Sequence, residues 1–334
     1  MEPTANGIGG VATVFGGSGF LGRHIVRALA RRGWRVRAAV RRPNLAGFLQ
    51  PDGGVGQVQA VQANLRYPES IAAALRGADV AVNAAGIARQ SGRQNFEAVH
   101  VFGAEEVARA AARLSVARLI HVSGIGADAQ SHSPYIASKG KGEAAAAAAF
   151  PATTIVRPSV VFGPEDDFLN RFAALACVLP VLPLFGGGDT RLQPVFVGDV
   201  ALAAANAVAN DSTAGKIYEL GGTEVFTLRE IVEFVLATIG RRRILAPLPF
   251  PVARLLALGT EIASAATFGK FPAMLTTTRD QIELLRRANV VSPAAIAEKR
   301  DLAGLGVAAR GLEALAPVFL SRFRKSGQYA TNDA

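Results

Sequence analysis

Three glycines set three residues apart, Gly16, Gly19 and Gly22, constrain this chain more than any other feature. The turn Gly16-Gly17-Ser18-Gly19-Phe20-Leu21-Gly22 follows the apolar run Val11 to Phe15. It opens an amphipathic run, Phe20 to Arg32, in which Leu21, Ile25 and Leu29 share one face. The pattern predicts strand, tight turn, helix. Glycine tolerates the turn dihedrals and lets a phosphate approach the backbone, while the helix start offers unpaired N–H groups to an anion. A glycine triplet alone is a common turn. Between a strand and a helix it points to a dinucleotide site.

Strand and helix signals then alternate, as in a parallel sheet covered on both faces. Strands are expected at Arg35–Val40, Val58–Ala63, Val80–Asn83, Arg118–Val122 and Thr153–Arg157, with later returns to the sheet around Pro194–Val200 and Lys216–Leu220. Helices are expected from Pro68, over Asn95–Leu114, over Ser133–Phe150 and over Phe226–Ile239. The fold class is α/β, a Rossmann-type doubly wound parallel sheet with a small, mainly helical C-terminal lobe. The expected division gives residues 1–170 and about 193–222 to the nucleotide-binding domain. Residues 171–192 and 223–325 form the lobe, and 326–334 a disordered tail.

Composition narrows the function classes. A chain of 334 residues that is 50% hydrophobic has ample material for a large core. The single cysteine, Cys177, allows no internal disulfide and fits a reducing compartment. The first ten residues hold no base and no apolar block, so neither a secretory signal nor an Arg-rich transit peptide is expected. No apolar run reaches membrane-spanning length. The formal net charge of +10 is gathered at Arg31–Arg42, Arg241-Arg242-Arg243 and Arg322–Lys325. Zinc-finger spacing and RNA-binding aromatic motifs are missing, so nucleic acid is not the expected partner. An anionic membrane surface, an acidic protein or a merely solvated basic face remain. The apolar, proline-broken segment Ile244 to Thr278 suits a surface laid against a membrane. His24, His100, His121 and His132 have no ligand spacing, and no metal is expected.

Site residues follow from the strand ends. An NAD-preferring site places a carboxylate after the second strand. Here Arg41 and Arg42 stand there, and a guanidinium binds a 2′-phosphate where a carboxylate would repel it. Arg23, in the first helical turn, is expected beside the phosphates because a cation there opposes the helix dipole. NADP(H) is therefore expected over NAD(H). Asn64-Leu65 and Asn83-Ala84-Ala85-Gly86 end the third and fourth strands and complete the cofactor floor, although each alone is ordinary turn chemistry. Ser123 ends the fifth strand. Tyr135 and Lys139 lie one turn apart on the next helix, where an ammonium would lower the phenol pKa from its usual value of about 10. Ser123 would hold a substrate oxygen, Tyr135 would move the proton, and Lys139 would also hold the nicotinamide ribose.

Together these residues resemble the short-chain dehydrogenase/reductase superfamily in its extended, atypical branch. The resemblance runs from Ala12 to about Gly222. It takes in Arg157-Pro158 with the adjoining Ser159 as cofactor contacts, Gly163-Pro164, and Val197-Gly198-Asp199-Val200. A narrower resemblance is to the NADPH-binding accessory subunits of respiratory complex I, the alpha-subcomplex subunit nine family. It rests on Val14–Arg23, Ile120-His121-Val122-Ser123, the run from Gly163 to Asn170, Gln193–Val197 and the Pro-rich Ala246–Pro251. Phe15 and His100 depart from the enzyme pattern, which usually carries Thr and Asn there. The resemblance implies NADPH held chiefly as a structural element in an accessory or assembly subunit of complex I. That subunit would be cytoplasmic, peripheral to the inner membrane, and a bacterial cousin. A free-standing NADP-dependent oxidoreductase or epimerase is the alternative, because Ser123, Tyr135 and Lys139 are intact.

Overall fold

The computed structural model describes residues 9–90, 92–267, 276–325 and 327, without the side chains of 264–266. The expected tail lies outside the described residues apart from Gly327, and so do residues 268–275 of the apolar segment. The chain divides into two compact units.

The first unit comprises Met1–Pro158, Val197–Leu220 and Ser292–Ala308. It opens with β1 (Gly9–Phe15), α1 (Phe20–Ala30), β2 (Trp34–Val40), β3 (Val58–Gln62), α2 (Pro68–Leu75) and β4 (Val80–Asn83). Next come a π-turn at Glu97–Val101, α3 (Phe102–Arg113), β5 (Arg118–Val122), α4 (Pro134–Ala149) and β6 (Thr154–Pro158). Strand Ile217–Leu220 completes a seven-stranded sheet in the order Ile217–Leu220, β6, β5, β4, β1, β2, β3. Every pairing in it is parallel. The central strands are short and apolar because both faces are covered, and all four residues of β4 are buried. One face carries a core of Ile71, Leu75, Val107, Ala111, Leu119 and Ala146 from α2, α3, β5 and α4. On the other, helix Val197–Ala209 packs against α1. This is the doubly wound Rossmann architecture, and the strand order reverses between β1 and β4. Ligands in such sheets bind at the carboxyl ends of the strands at that reversal.

The second unit comprises Ser159–Phe196, Gly221–Val291 and Ala309–Ala334. Its core joins Leu169, Leu182, Leu184, Ile231, Val235, Leu312 and Leu320. Helix Leu228–Thr238 starts at a capping box in which Thr227 and Glu230 satisfy each other's backbone N–H groups. Among the described residues the unit is mainly helical and also holds three two-stranded sheets.

The boundaries differ from the expected ones. Residues 159–170 and 193–196 belong to the second unit, and 292–308 return to the first. The expected return around Pro194–Val200 does not join the seven-stranded sheet. Val195–Phe196 pairs with Val161–Phe162 inside the second unit, and Val197 begins a helix. A two-residue strand carries too short a pattern to reveal its partner. The expected helix from Asn95 is interrupted by the π-turn, so α3 starts at Phe102.

Candidate functional site

A cleft of about 350 Å³ opens at the carboxyl ends of the strands, at the reversal between β1 and β4. Gly16, Ser18, Gly19, Phe20, Leu21, Gly22, Arg41, Asn64, Leu65, Ala84, Ala85 and Gly86 line it. Phe15, Ala39, Val40, Ala63, Arg66, Ile87, Gln94 and Val99, which the strand-end reading did not single out, line it as well. Most of these are apolar neighbours of expected positions. Arg66 is a second guanidinium, directly after the expected pair Asn64-Leu65.

The glycine turn is dictated by close approach. Gly16 has φ +74°, and a Cβ on it would stand 2.9 Å from the Ala85 Cα. A Cβ on Gly22 would stand 2.1 Å from the Gly16 carbonyl oxygen. Any side chain at either position would push the turn away from the sheet. No side chain caps α1, and its first turn carries no acid, so its N-terminal N–H groups face the cleft without a competing anion.

Several expected cofactor residues do other work. Arg23 does not line the cleft. Its Nε and NH2 donate at 3.3 Å to the Gly19 and Ser18 carbonyl oxygens, and its guanidinium lies 4.8 Å from the Phe48 ring centroid. It braces the glycine turn from behind, which answers the dipole objection with carbonyl groups in place of phosphates. Gly17 lies against Ala38, and Arg42 is exposed outside the cleft. Arg157 is bound twice to Glu143, at 2.9 and 2.6 Å, with Glu219 at 3.9 Å. The Pro158 carbonyl accepts the Ile125 N–H, and Ser159 falls in the second unit, where its Oγ lies 2.8 Å from the Asn289 carbonyl oxygen. Asn83 is buried below the floor. Its Oδ1 accepts the Ala85 N–H at 3.3 Å, and its Nδ2 donates to His121 Nδ1 at 3.3 Å, as the register pairing Asn83 with His121 requires.

Of the expected Ser-Tyr-Lys residues, Ser123 follows β5, and Tyr135 and Lys139 lie on α4. Ser133 caps α4, its Oγ accepting the Ile136 N–H, and this sets the turn that carries Tyr135 and Lys139. Lys139 is buried, and its Nζ donates to the Val122 carbonyl at 3.5 Å, so it points to the end of β5 beside Ser123. Burial pulls the ammonium down from 10.5 to about 8, opposed by the Glu143 carboxylate. Tyr135 departs from the expected direction: burial raises its phenol pKa. Desolvation disfavours the charged phenolate. His121 is a buried strand residue kept neutral, its pKa lowered to about 3 by burial and by Lys139.

The residues fit a nicotinamide dinucleotide. Among the described residues, the Ser123 Oγ is the one buried side-chain polar atom without a hydrogen-bond partner. Leaving it so costs about 1–3 kcal/mol unless a ligand supplies the bond. No cluster of His, Cys, Asp or Glu among the described residues could hold a metal ion.

Residues 12–221 match the NAD dependent epimerase/dehydratase family. The chain belongs to this family. A nicotinamide dinucleotide is its cofactor class, as the glycine turn and the switch-point cleft require. The chain is 34% identical over 320 residues to the mitochondrial NADH dehydrogenase [ubiquinone] 1 alpha subcomplex subunit 9 of Arabidopsis thaliana, covering 95% of this chain and 79% of that protein. It is 39% identical over 200 residues to the ceramide reductase of Caulobacter vibrioides, covering 60% of each. Among solved structures, that of gox2253 superposes with a TM-score of 0.70 at 22% identity, covering 96% of this chain and all of that one, a likeness of fold.

Proposed function

We propose that this protein is an NADP(H)-binding accessory or assembly subunit of respiratory complex I, peripheral to the inner membrane, with its cofactor serving chiefly as structure. The observation that carries the reading is the similarity to the alpha subcomplex subunit over 95% of the chain, which takes in both compact units. The preference for NADP(H) rests on Arg41 at the cleft where an NAD site would hold a carboxylate, with Arg66 as a second cation on the same wall. No helix among the described residues is long and apolar enough to cross a membrane. Helix Phe250–Ala266 instead buries Ala253 and Ala257 and exposes Val252, Leu255, Leu256 and Ile262, an apolar face suited to a membrane surface or a membrane-embedded partner. Isolation of the tagged protein from native membranes, with identification of what accompanies it, tests the reading. Complex I subunits and bound NADPH are the expected result.

A second reading, a free-standing NADP-dependent oxidoreductase, is favoured by Ser123, whose unpartnered hydroxyl is placed to hold a substrate oxygen. The 39% identity to a reductase points the same way. In that reading Tyr135 would hold and move the proton and Lys139 would steady the ribose of a bound NADPH, which would supply the hydride.

A further inference from the structure

His100 stands where three segments meet. The Ile87 N–H, at the end of the Gly86 floor, donates to its Nε2 at 3.1 Å. Its Nδ1 lies 2.9 Å from the Ser138 Oγ, and that hydroxyl donates to the Tyr135 carbonyl at 2.7 Å. A serine hydroxyl has one hydrogen. With that hydrogen committed to Tyr135, the contact to Nδ1 requires the hydrogen on the ring, while Nε2 must be bare to accept from Ile87. The partners therefore dictate one neutral tautomer.

The rest of the environment fixes the ring plane. Phe96 stacks on it with centroids 5.4 Å apart and 14° between planes, and the Tyr135 ring meets it edge-on at 5.6 Å. The π-turn Glu97–Val101 brings His100 to this point. Gly142 of α4 passes so close that a Cβ there would stand 2.0 Å from the His100 carbonyl oxygen. A Cβ built on Gly86 would meet two atoms, Lys139 Nζ at 3.5 Å and His100 Nε2 at 3.7 Å. The cleft floor, the lysine and the histidine thus converge on one backbone position. Burial and the nearby Lys139 ammonium keep the imidazole neutral, with its pKa lowered to about 3.

We propose that His100 is a positioning residue that pins the Gly86–Ile87 segment to α4, so that this backbone and Lys139 together receive the nicotinamide-ribose end of the dinucleotide. The proposal rests on the Ser-Tyr-Lys assignment, and it concerns only that end of the cleft. The adenine end, at Arg41 and Asn64, follows the ends of β2 and β3 and has no bond to His100.

The split between the two ends is the test. The full chain and its His100→Phe, His100→Gln and Ser138→Ala variants are titrated with NADPH and with adenosine 2′,5′-bisphosphate, which lacks the nicotinamide half. Exchange of the Ile87 amide is followed in parallel. His100→Phe keeps the stacking and loses both hydrogen bonds. It should weaken NADPH roughly tenfold, leave the bisphosphate unchanged and release the Ile87 amide to exchange. His100→Gln, whose amide can accept from Ile87 and donate to Ser138, should restore NADPH to within about threefold of the native affinity. Unchanged NADPH affinity in His100→Phe, or equal loss of both ligands, would overturn the proposal. If that variant does not fold, Ser138→Ala decides, with a smaller loss confined to NADPH expected and no loss overturning the idea. Failure of the native protein to bind either ligand would overturn the dinucleotide assignment itself, and the proposal with it.

Discussion

Arg157 holds Glu143 through two parallel hydrogen bonds, at 2.9 and 2.6 Å, joining β6 to α4 one turn beyond Lys139. Glu143 is buried, and the pair raises the Arg157 pKa. A bidentate guanidinium–carboxylate pair of this kind is a cross-link within the first unit. It explains why an arginine expected at the cofactor belongs to the scaffold beneath it.

Removing Glu143 leaves the half-buried Arg157 guanidinium with the more distant Glu219 carboxylate, at 3.9 Å, in place of its bidentate partner. Glu143→Ala should lower unfolding stability by about 3 kcal/mol, whereas Glu143→Leu with Arg157→Leu should recover much of the loss. Urea denaturation of the three proteins checks this, and equal stability of Glu143→Ala and native protein would remove the cross-link from the account.

The cofactor preference is carried by Arg41. Arg41→Asp should weaken NADPH by about 1–3 kcal/mol and leave NADH no weaker, since the new carboxylate repels the 2′-phosphate and can accept from the ribose hydroxyls of NADH. Equal affinity of the native protein for the two cofactors in a fluorescence titration would sink the NADP(H) assignment. Arg23 predicts differently. Because it braces the carbonyls of Ser18 and Gly19, Arg23→Ala should weaken both cofactors alike.

Tyr135 separates the two readings of function. Tyr135→Phe should abolish any turnover the native protein shows on a carbonyl panel while leaving NADPH bound, because the ring packing against Phe96 and His100 survives. Turnover that persists in this variant would remove Tyr135 from the proton path.

Acid stability follows from the two buried histidines. His100 and His121 each have a folded pKa of about 3 against 6.5 for the ordinary side chain. The unfolded chain therefore takes up protons first as pH falls. Each group contributes stability that is intact above pH 6.5 and is lost progressively between 6.5 and 3, at about 1.4 kcal/mol per pH unit. Lowering pH from 6.5 to 5 should cost about 2 kcal/mol per histidine, and His121→Gln should flatten the slope by about one proton. A denaturation midpoint independent of pH across this range would contradict the buried neutral state.

Membrane association, as proposed, should depend more on leucine than on arginine. Of the three arginines just before the apolar segment, Arg243 donates to the Ala176 carbonyl at 2.8 Å and Arg241 to that of Phe323 at 3.4 Å, while Arg242 is exposed. Leu255 is 69% exposed and Ile262 59%. Leu255→Ser with Ile262→Ser should shift the protein to the soluble fraction, and Arg242→Ala alone should shift it less. Native protein that is wholly soluble at low salt would favour the oxidoreductase.

Local chemistry determined much of this protein from sequence. The glycine turn, the strands β4 and β5 to the residue, the helix carrying Tyr135 and Lys139, and the Arg41 position depend on spacing within one strand or one helical turn. A period of two or of 3.6 residues records that information in the chain itself. Tertiary structure alone decided the roles of the long polar side chains. Arg157, Arg241 and Arg243 reach carbonyls or a carboxylate that packing brings to them, and a basic count cannot tell such arginines from surface or ligand-binding ones. Packing also assigned Ser159 and Val195–Phe196 to one unit and Ser292–Ala308 to the other, since a short strand finds its partner through contacts far away in sequence. His100 shows the same limit. Its tautomer and its place at the cleft floor depend on Ile87, Ser138 and Phe96 together, and no period in the sequence records where three separate segments will meet.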